Sequence, residues 1–198
     1  MKKLIPLLIF IGIINIANAQ FFIGADLKGG FGKTDQNYYE PGEKFSHGAN
    51  AIIGYEFLNH FTINTGFSYY KVKTKYYSPS SHLVYIPIVK DANIYSIPLK
   101  LSYFYQIKKI RLFANIGLVN LKVKAATTVT DFKSGWHLGY IGELGIGYWL
   151  KSNLCLTTSM EHIQSNQIKF TDKSLSDYNN KISKVYFYGL NIGVRYYL

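Results

Sequence analysis

The chain has 198 residues, of which 22 are Lys or Arg and 11 are Asp or Glu, for a formal net charge of +11. That length suits one domain, and the single cysteine, Cys155, excludes an internal disulfide and has no His or Cys neighbours at metal-ligand spacing. The basic excess would suit nucleic acid, but the first residues direct the chain to export, where anionic lipid head groups are the commoner partner.

Those residues, MKKLIPLLIFIGIINIANAQ, place Lys2 and Lys3 ahead of an apolar run from Leu4 to about Ile16, closed by Ala17-Asn18-Ala19. A basic start, an apolar stretch and small residues form the pattern of a secretory signal peptide. The run is shorter than the ~20 residues a spanning helix needs. Residues 1–19 are therefore expected to be removed, leaving 20–198 as the mature domain, with no Cys after the small residues to carry a lipid anchor. Setting Lys2 and Lys3 aside leaves 20 basic against 11 acidic residues, or +9.

Beyond Gln20 the hydrophobic period is two, as a half-buried strand requires, and no stretch shows a period of 3.6. In chain order the alternation predicts strands over 21–32, 46–58, 60–75, 92–106, 109–124, 135–150, 153–169 and 182–198. The fourth puts Tyr95, Ile97, Leu99, Leu101, Tyr103 and Tyr105 on one face against Ser96, Pro98, Lys100 and Ser102. The fifth begins with Leu112, Ala114, Ile116 and Leu118, after which Val119, Leu121 and Val123 shift the phase; a β-bulge near Leu118 to Asn120 would account for this. The eighth sets Tyr186, Tyr188, Leu190, Ile192, Val194, Tyr196 and Leu198 against Gly189, Asn191, Gly193 and Arg195.

Connections near Leu58-Asn59-His60, Gln106 to Lys109 and Lys151-Ser152-Asn153 are tight, whereas 33–45, 76–91, 125–134 and 170–181 are long and polar. Strict alternation of short and long connections matches an antiparallel up-and-down transmembrane β-barrel of eight strands, with short periplasmic turns and long extracellular loops. Alternation alone would also fit a soluble periplasmic lipocalin-like barrel with its apolar face inside. The polar face, however, is mostly Gly, Ser, Thr and Asn, which suits a crowded lumen better than a surface in water. Aromatic residues at both ends of the apolar face, among them Phe21, Phe31, Tyr55, Phe57, Tyr103, Tyr105, Trp136, Tyr148, Tyr186 and Tyr196, fit two interfacial girdles.

The polar face then encloses Asp26, Lys28, Glu56, Lys100, Arg111, Glu143, Glu161 and Arg195, four charges of each sign. Enclosed charges are costly unless paired and hydrogen-bonded, so they are expected to form a luminal charge network that fills the barrel. At the other end of the strands, Lys71, Lys73, Lys75, Lys122, Lys124, Lys169 and Lys184 could meet the phosphates of outer-leaflet lipopolysaccharide. The second long loop offers a possible contact surface in Lys75, Tyr76, Tyr77, Tyr85 and Lys90.

The stretch Tyr95-Ser96-Ile97-Pro98-Leu99-Lys100-Leu101-Ser102-Tyr103-Phe104-Tyr105, a basic turn, and Phe113-Ala114-Asn115-Ile116-Gly117 resembles the PorT-like family of small outer-membrane β-barrels. The likeness continues through Gly142-Glu143-Leu144-Gly145-Ile146-Gly147-Tyr148 and the closing Gly193-Val194-Arg195-Tyr196-Tyr197-Leu198, although such chains often end in an aromatic residue and this one ends in Leu198. The resemblance implies outer-membrane location and barrel architecture, with an accessory part in protein secretion among the roles it allows.

A barrel enzyme acting on lipid acyl chains would need a nucleophile beside a His base. The candidates are Ser46 with His47, Ser81 with His82, and Ser165 with His162; the first and last pairs differ in strand parity and so face opposite ways. No P-loop, nucleotide-binding glycine pattern or metal motif occurs, so no cofactor, metal or catalytic residue is expected and a lipid A-modifying enzyme is disfavoured. The residues point to a non-enzymatic barrel acting in envelope structure or surface interaction. Its expected partners are outer-membrane lipid and, during insertion, the barrel-assembly machinery; nucleic acid is not among them.

Overall fold

The computed structural model describes residues 20–36, 44–73, 91–126, 131–166, 168–169 and 181–198. They form strands β1 (Gln20–Gln36), β2 (Lys44–Phe57), β3 (Phe61–Lys73), β4 (Asp91–Ile107), β5 (Ile110–Ala126), β6 (Asp131–Lys151), β7 (Leu154–Ser165), β8 (Ile168–Lys169) and β9 (Lys181–Tyr197). Each of the eight long strands pairs antiparallel with the next, and β9 pairs with β1 to close the sheet. The two-residue β8 continues the β7 pairing along β9, so the seventh strand, expected to run unbroken to residue 169, is interrupted after Ser165. The signal-peptide residues 1–19 lie outside the described residues.

The register fixes the shape. Stepping from partner to partner, Gln20 leads to Glu56, Thr62, Ser102, Asn115, Glu143, Glu161, Gly189 and back to β1 at Gly30, ten residues beyond the start. With strand spacing near 4.7 Å and a rise near 3.3 Å per residue, this stagger tilts the strands by roughly 41° and sets a backbone radius of roughly 8 Å. It also lifts each register row by roughly 3 Å per strand in the direction from β1 toward β9.

The tight connections occur where the sequence places them. Leu58 and Asn59 adopt left-handed φ values of 53° and 58°, and Lys108 one of 53°. Of the opposite connections, the first and third are shorter than expected, because β1 runs on to Gln36 and β6 starts at Asp131, whereas β3 ends at Lys73, two residues before its expected end. The strands outlast the bilayer and keep their ladder beyond it.

Along the membrane-crossing stretch the outward face is apolar: Leu27, Ile116, Leu144, Met160 and Ile192 are all more than two-thirds exposed. Near the turns Phe21, Tyr55, Phe57, Phe61 and Tyr103 form a chain of ring contacts with centroids 4.8–6.3 Å apart. Apolar side chains facing outward round a closed barrel are at home only in lipid.

Toward the other end the polarity reverses. Tyr70, Val72, Ile94, Val119, Leu121, Val123, Ile163, Val185 and Phe187 pack into one buried interior cluster, while Lys71, Lys122, Lys124 and Lys184 occupy the alternate, outward positions. This corrects the expected bulge near Leu118 to Asn120. The alternation is unbroken there, and Val119, Leu121 and Val123 point inward as a core. The register shift on β5 falls later, between Lys122 and Lys124 against β6.

One ladder has a gap. β3 and β4 pair from Phe61 to Thr65 and again from Ser68, but not across Ile97–Pro98. Proline has no N–H to give, and Thr65 Oγ1 donates to the Pro98 carbonyl at 2.7 Å.

Candidate functional site

The lumen holds the charges in layers. Nearest the turns, the Arg111 guanidinium donates to both Glu56 oxygens at 2.8 and 3.1 Å and to the Tyr197 hydroxyl. It lies 3.9 Å from the Phe104 ring centre and 5.0 Å from that of Trp149, so the cation is caged by π faces as well as paired. Phe22, Ile52, Cys155 and Tyr197, with Trp149 against them, wall this layer.

Above it, Arg195 forks onto Asp26 at 2.5 and 3.1 Å. Asp26 also accepts from Asn50 Nδ2, whose Oδ1 accepts from Ser68. Gly193 is required here, since a Cβ at that position would fall on Asp26 Oδ1.

The mid-height layer alternates sign over four side chains. Lys28 Nζ lies 2.6 Å from Glu161, Lys100 Nζ 3.9 Å from Glu161 and 2.6 Å from Glu143. Glu143 and Glu161 are direct cross-strand partners, an arrangement of like charges that is unfavourable by itself; Lys100 sits between them. Asn115 and Ser159 complete the shell of Glu143 at 2.8 and 2.5 Å. The structure thus brings Asp26 with Arg195, Glu56 with Arg111, and Lys28, Glu161, Lys100 and Glu143 in one chain.

Between the Arg111 layer and the Lys100 layer lies a cavity of ≈ 50 Å³, bordered by Asn64, Asn115, Thr157 and Cys155 among others. The Asn115 Oδ1 on its wall has no donor among the described residues. A space of this size and polarity is large enough for ordered water and too small for a drug-sized solute.

Outside, Lys124 Nζ lies over the Tyr95 ring at 5.1 Å and Lys122 Nζ over the Trp136 ring at 5.9 Å. Lys133 is exposed beside them, opposite Lys124 in the register. Strand alternation does not point to Lys133, because the register shift breaks the parity just there. Lys75, Tyr76, Tyr77, Tyr85 and Lys90 lie outside the described residues, as do Ser81 and His82.

The remaining hydroxyl and imidazole candidates do not meet. Ser46 faces the lumen and His47 the outside. Ser165 Oγ accepts from Val185 N at 2.8 Å, while His162 stacks outward on Tyr188 with centroids 4.4 Å apart. Among the described residues no group of three His, Cys, Asp or Glu side chains could hold a metal ion.

Comparison with known proteins agrees with this architecture. The structure is similar to that of Neisserial surface protein A, with a TM-score of 0.66 at 17% identity over 90% of this chain and 97% of that one. It is also similar to the outer membrane protein OprG from Pseudomonas aeruginosa, with a TM-score of 0.58 at 14% identity over 91% and 95%. A major outer membrane protein from Thermus thermophilus gives a TM-score of 0.54 at 14% identity over 91% and 99%. No curated protein sequence matches significantly. At these identities the likeness concerns the fold. The outer membrane protein beta-barrel domain matches residues 6–197, nearly the whole chain, and the protein, an eight-stranded barrel of the outer membrane, belongs to that family.

Proposed function

We propose that the protein is a non-enzymatic barrel with a side-chain-filled lumen, acting in envelope structure or surface interaction through the segments that join its strands at the extracellular end. The observation that carries this reading is the packing of the lumen. Eight paired charges fill its lower and middle parts, and an apolar cluster fills its upper part. A barrel filled in this way offers chemistry only on its outside. In lipid that leaves the extracellular rim and its connections, where barrels of rigid wall carry variable segments.

The test is complementation of a deletion strain with the full chain and with a barrel whose residues 37–43, 74–90, 127–130 and 170–180 are replaced by short turns. The short-turn barrel is expected to reach the outer membrane and show heat-modifiable migration on a denaturing gel, yet fail to restore detergent resistance or surface attachment. Full restoration by that barrel would overturn the loop assignment. Altered lipid A masses in the deletion strain would overturn the non-enzymatic reading, and a general export defect would favour the secretion-accessory role implied by the PorT-like resemblance.

A further inference from the structure

We infer that the outer wall formed by β3, β4, β5 and β6 carries a binding site for the phosphate groups of an outer-leaflet phosphorylated glycolipid. The inference rests on membrane placement and on the basic wall, and is independent of the role assigned to the loops.

Above Lys151 at the periplasmic end of β6 and up to this wall, no described outward-facing side chain is charged. The first that are charged on β3 and β5 are Lys71 and Lys122. Their register rows differ, Lys71 lying opposite Asn93 and Lys122 opposite Tyr95. The strand tilt compensates: each strand step toward β6 raises a row by roughly 3 Å, and one row down costs roughly 5 Å of height, so the two lysines come level to within roughly one residue rise. They stand on either side of Tyr95 at the upper edge of the apolar belt, the depth at which lipid phosphates lie.

Two ring contacts hold the ammonium groups at this border. Lys124 reaches back over Tyr95 at 5.1 Å and Lys122 over Trp136 at 5.9 Å. Tyr69 Oη donates to Asn93 Oδ1 at 2.9 Å and the Tyr69 ring lies tilted against that of Tyr95, with centroids 5.4 Å apart, so the platform between the lysines is itself braced. Lysines so placed keep their donors toward the head groups while their stems cover aromatic surface. Lys71 and Lys133 have contacts of their own, and the core of the site is Lys122, in the Tyr95 row, and Lys124, in the Asn93 row above it. The next row outward contains Asp91, opposite Lys73, and Asp131. Among the described side chains the wall carries four lysines, at 71, 122, 124 and 133. That cluster of positive charge complements a phosphate-bearing lipid. Across the barrel, Lys184 stands directly opposite Asp35 in the register.

The experiment compares the full protein, refolded into phosphatidylcholine nanodiscs containing either diphosphorylated lipid A or its phosphate-free counterpart, with retained lipid counted by native mass spectrometry. The wild type is expected to retain the phosphorylated form preferentially, and K122Q/K124Q to lose about tenfold of that preference. K122R/K124R should keep it, as should K108Q/K109Q at the periplasmic turn. Heat-modifiable migration establishes that each variant is folded. Equal retention of the two lipids by the wild type, or undiminished preference in folded K122Q/K124Q, would overturn the site. Displacement of the lipid by soluble heparin but not by free lipid A would overturn the choice of ligand.

Discussion

At the scale of single residues, the most consequential side chain is Lys100. It approaches Glu143 at 2.6 Å and Glu161 at 3.9 Å, two carboxylates that the β6–β7 register sets side by side. Removing one partner of a buried pair leaves an uncompensated charge and costs roughly 3–5 kcal/mol. Lys100→Met leaves two adjacent anions with only Lys28 on Glu161, and is expected to lower unfolding stability in urea by at least that range. Lys100→Met with Glu143→Gln should recover part of the loss, because one of the facing charges is then gone. Equal stability of the single and double variants would show that the pair is not coupled. The inward parity of all eight charges was legible from strand alternation alone. Their pairing was not, because Lys28 and Glu161 are 133 residues apart and meet only through the ten-residue stagger of the closed barrel.

At the scale of elements, each strand changes sides in meaning along its length while keeping its backbone alternation. On β5, Leu112 to Leu118 face lipid at the even positions, and beyond them the even positions carry Lys122 and Lys124 while Val119, Leu121 and Val123 turn inward. β3 repeats this with Tyr70 and Val72 inside and Lys71 outside, as does β9 with Val185 and Phe187 inside and Lys184 outside. The phase shift visible in the sequence was therefore real, but it marks the exit from the bilayer. An inserted residue would also shift the phase, and only the unbroken β4–β5 register distinguishes the two. The upper barrel follows the rule of a soluble one, with apolar residues inside and lysines on the outer face. Leu121→Lys would put a charge among fully buried apolar side chains and is expected to cost several kcal/mol or to melt the upper barrel. Lys122→Leu, one residue on, should change stability little. Proteolysis of refolded protein would show the difference as cleavage confined to the extracellular half in the Leu121 variant. Similar resistance in both would mean that the upper barrel is not packed as a core.

At the scale of the whole molecule, the question is whether an eight-stranded barrel with charges inside can conduct. A backbone radius of roughly 8 Å leaves space for little more than the inward side chains themselves. Here that space is crossed by the Arg111 layer with its three aromatic neighbours, the Asp26–Arg195 fork, the four-member Lys28 to Glu143 chain, and the apolar cluster above. An ion entering from the periplasm would have to break the Glu56–Arg111 pair, then pass side chains already neutralised by one another, then dewet a largely apolar plug whose hydroxyls at Tyr70, Ser134 and Ser165 are already hydrogen-bonded. Closure is thus redundant, with layers of different chemistry in series. Glu143→Ala removes one anion from one layer and is expected to lower the unfolding midpoint, because Lys100 then keeps only the more distant Glu161. It should not create conductance, because the Arg111 layer and the apolar cluster stay in place. Wild type and variant in planar bilayers are both expected to show no discrete current steps, with the difference appearing only in denaturant. Steps in the wild type would mean that the layers open together and that the lumen is a path. Steps in the Glu143 variant alone would make the ion-pair chain the gate of that path, with the caged Arg111 layer and the apolar cluster too loose to hold it shut.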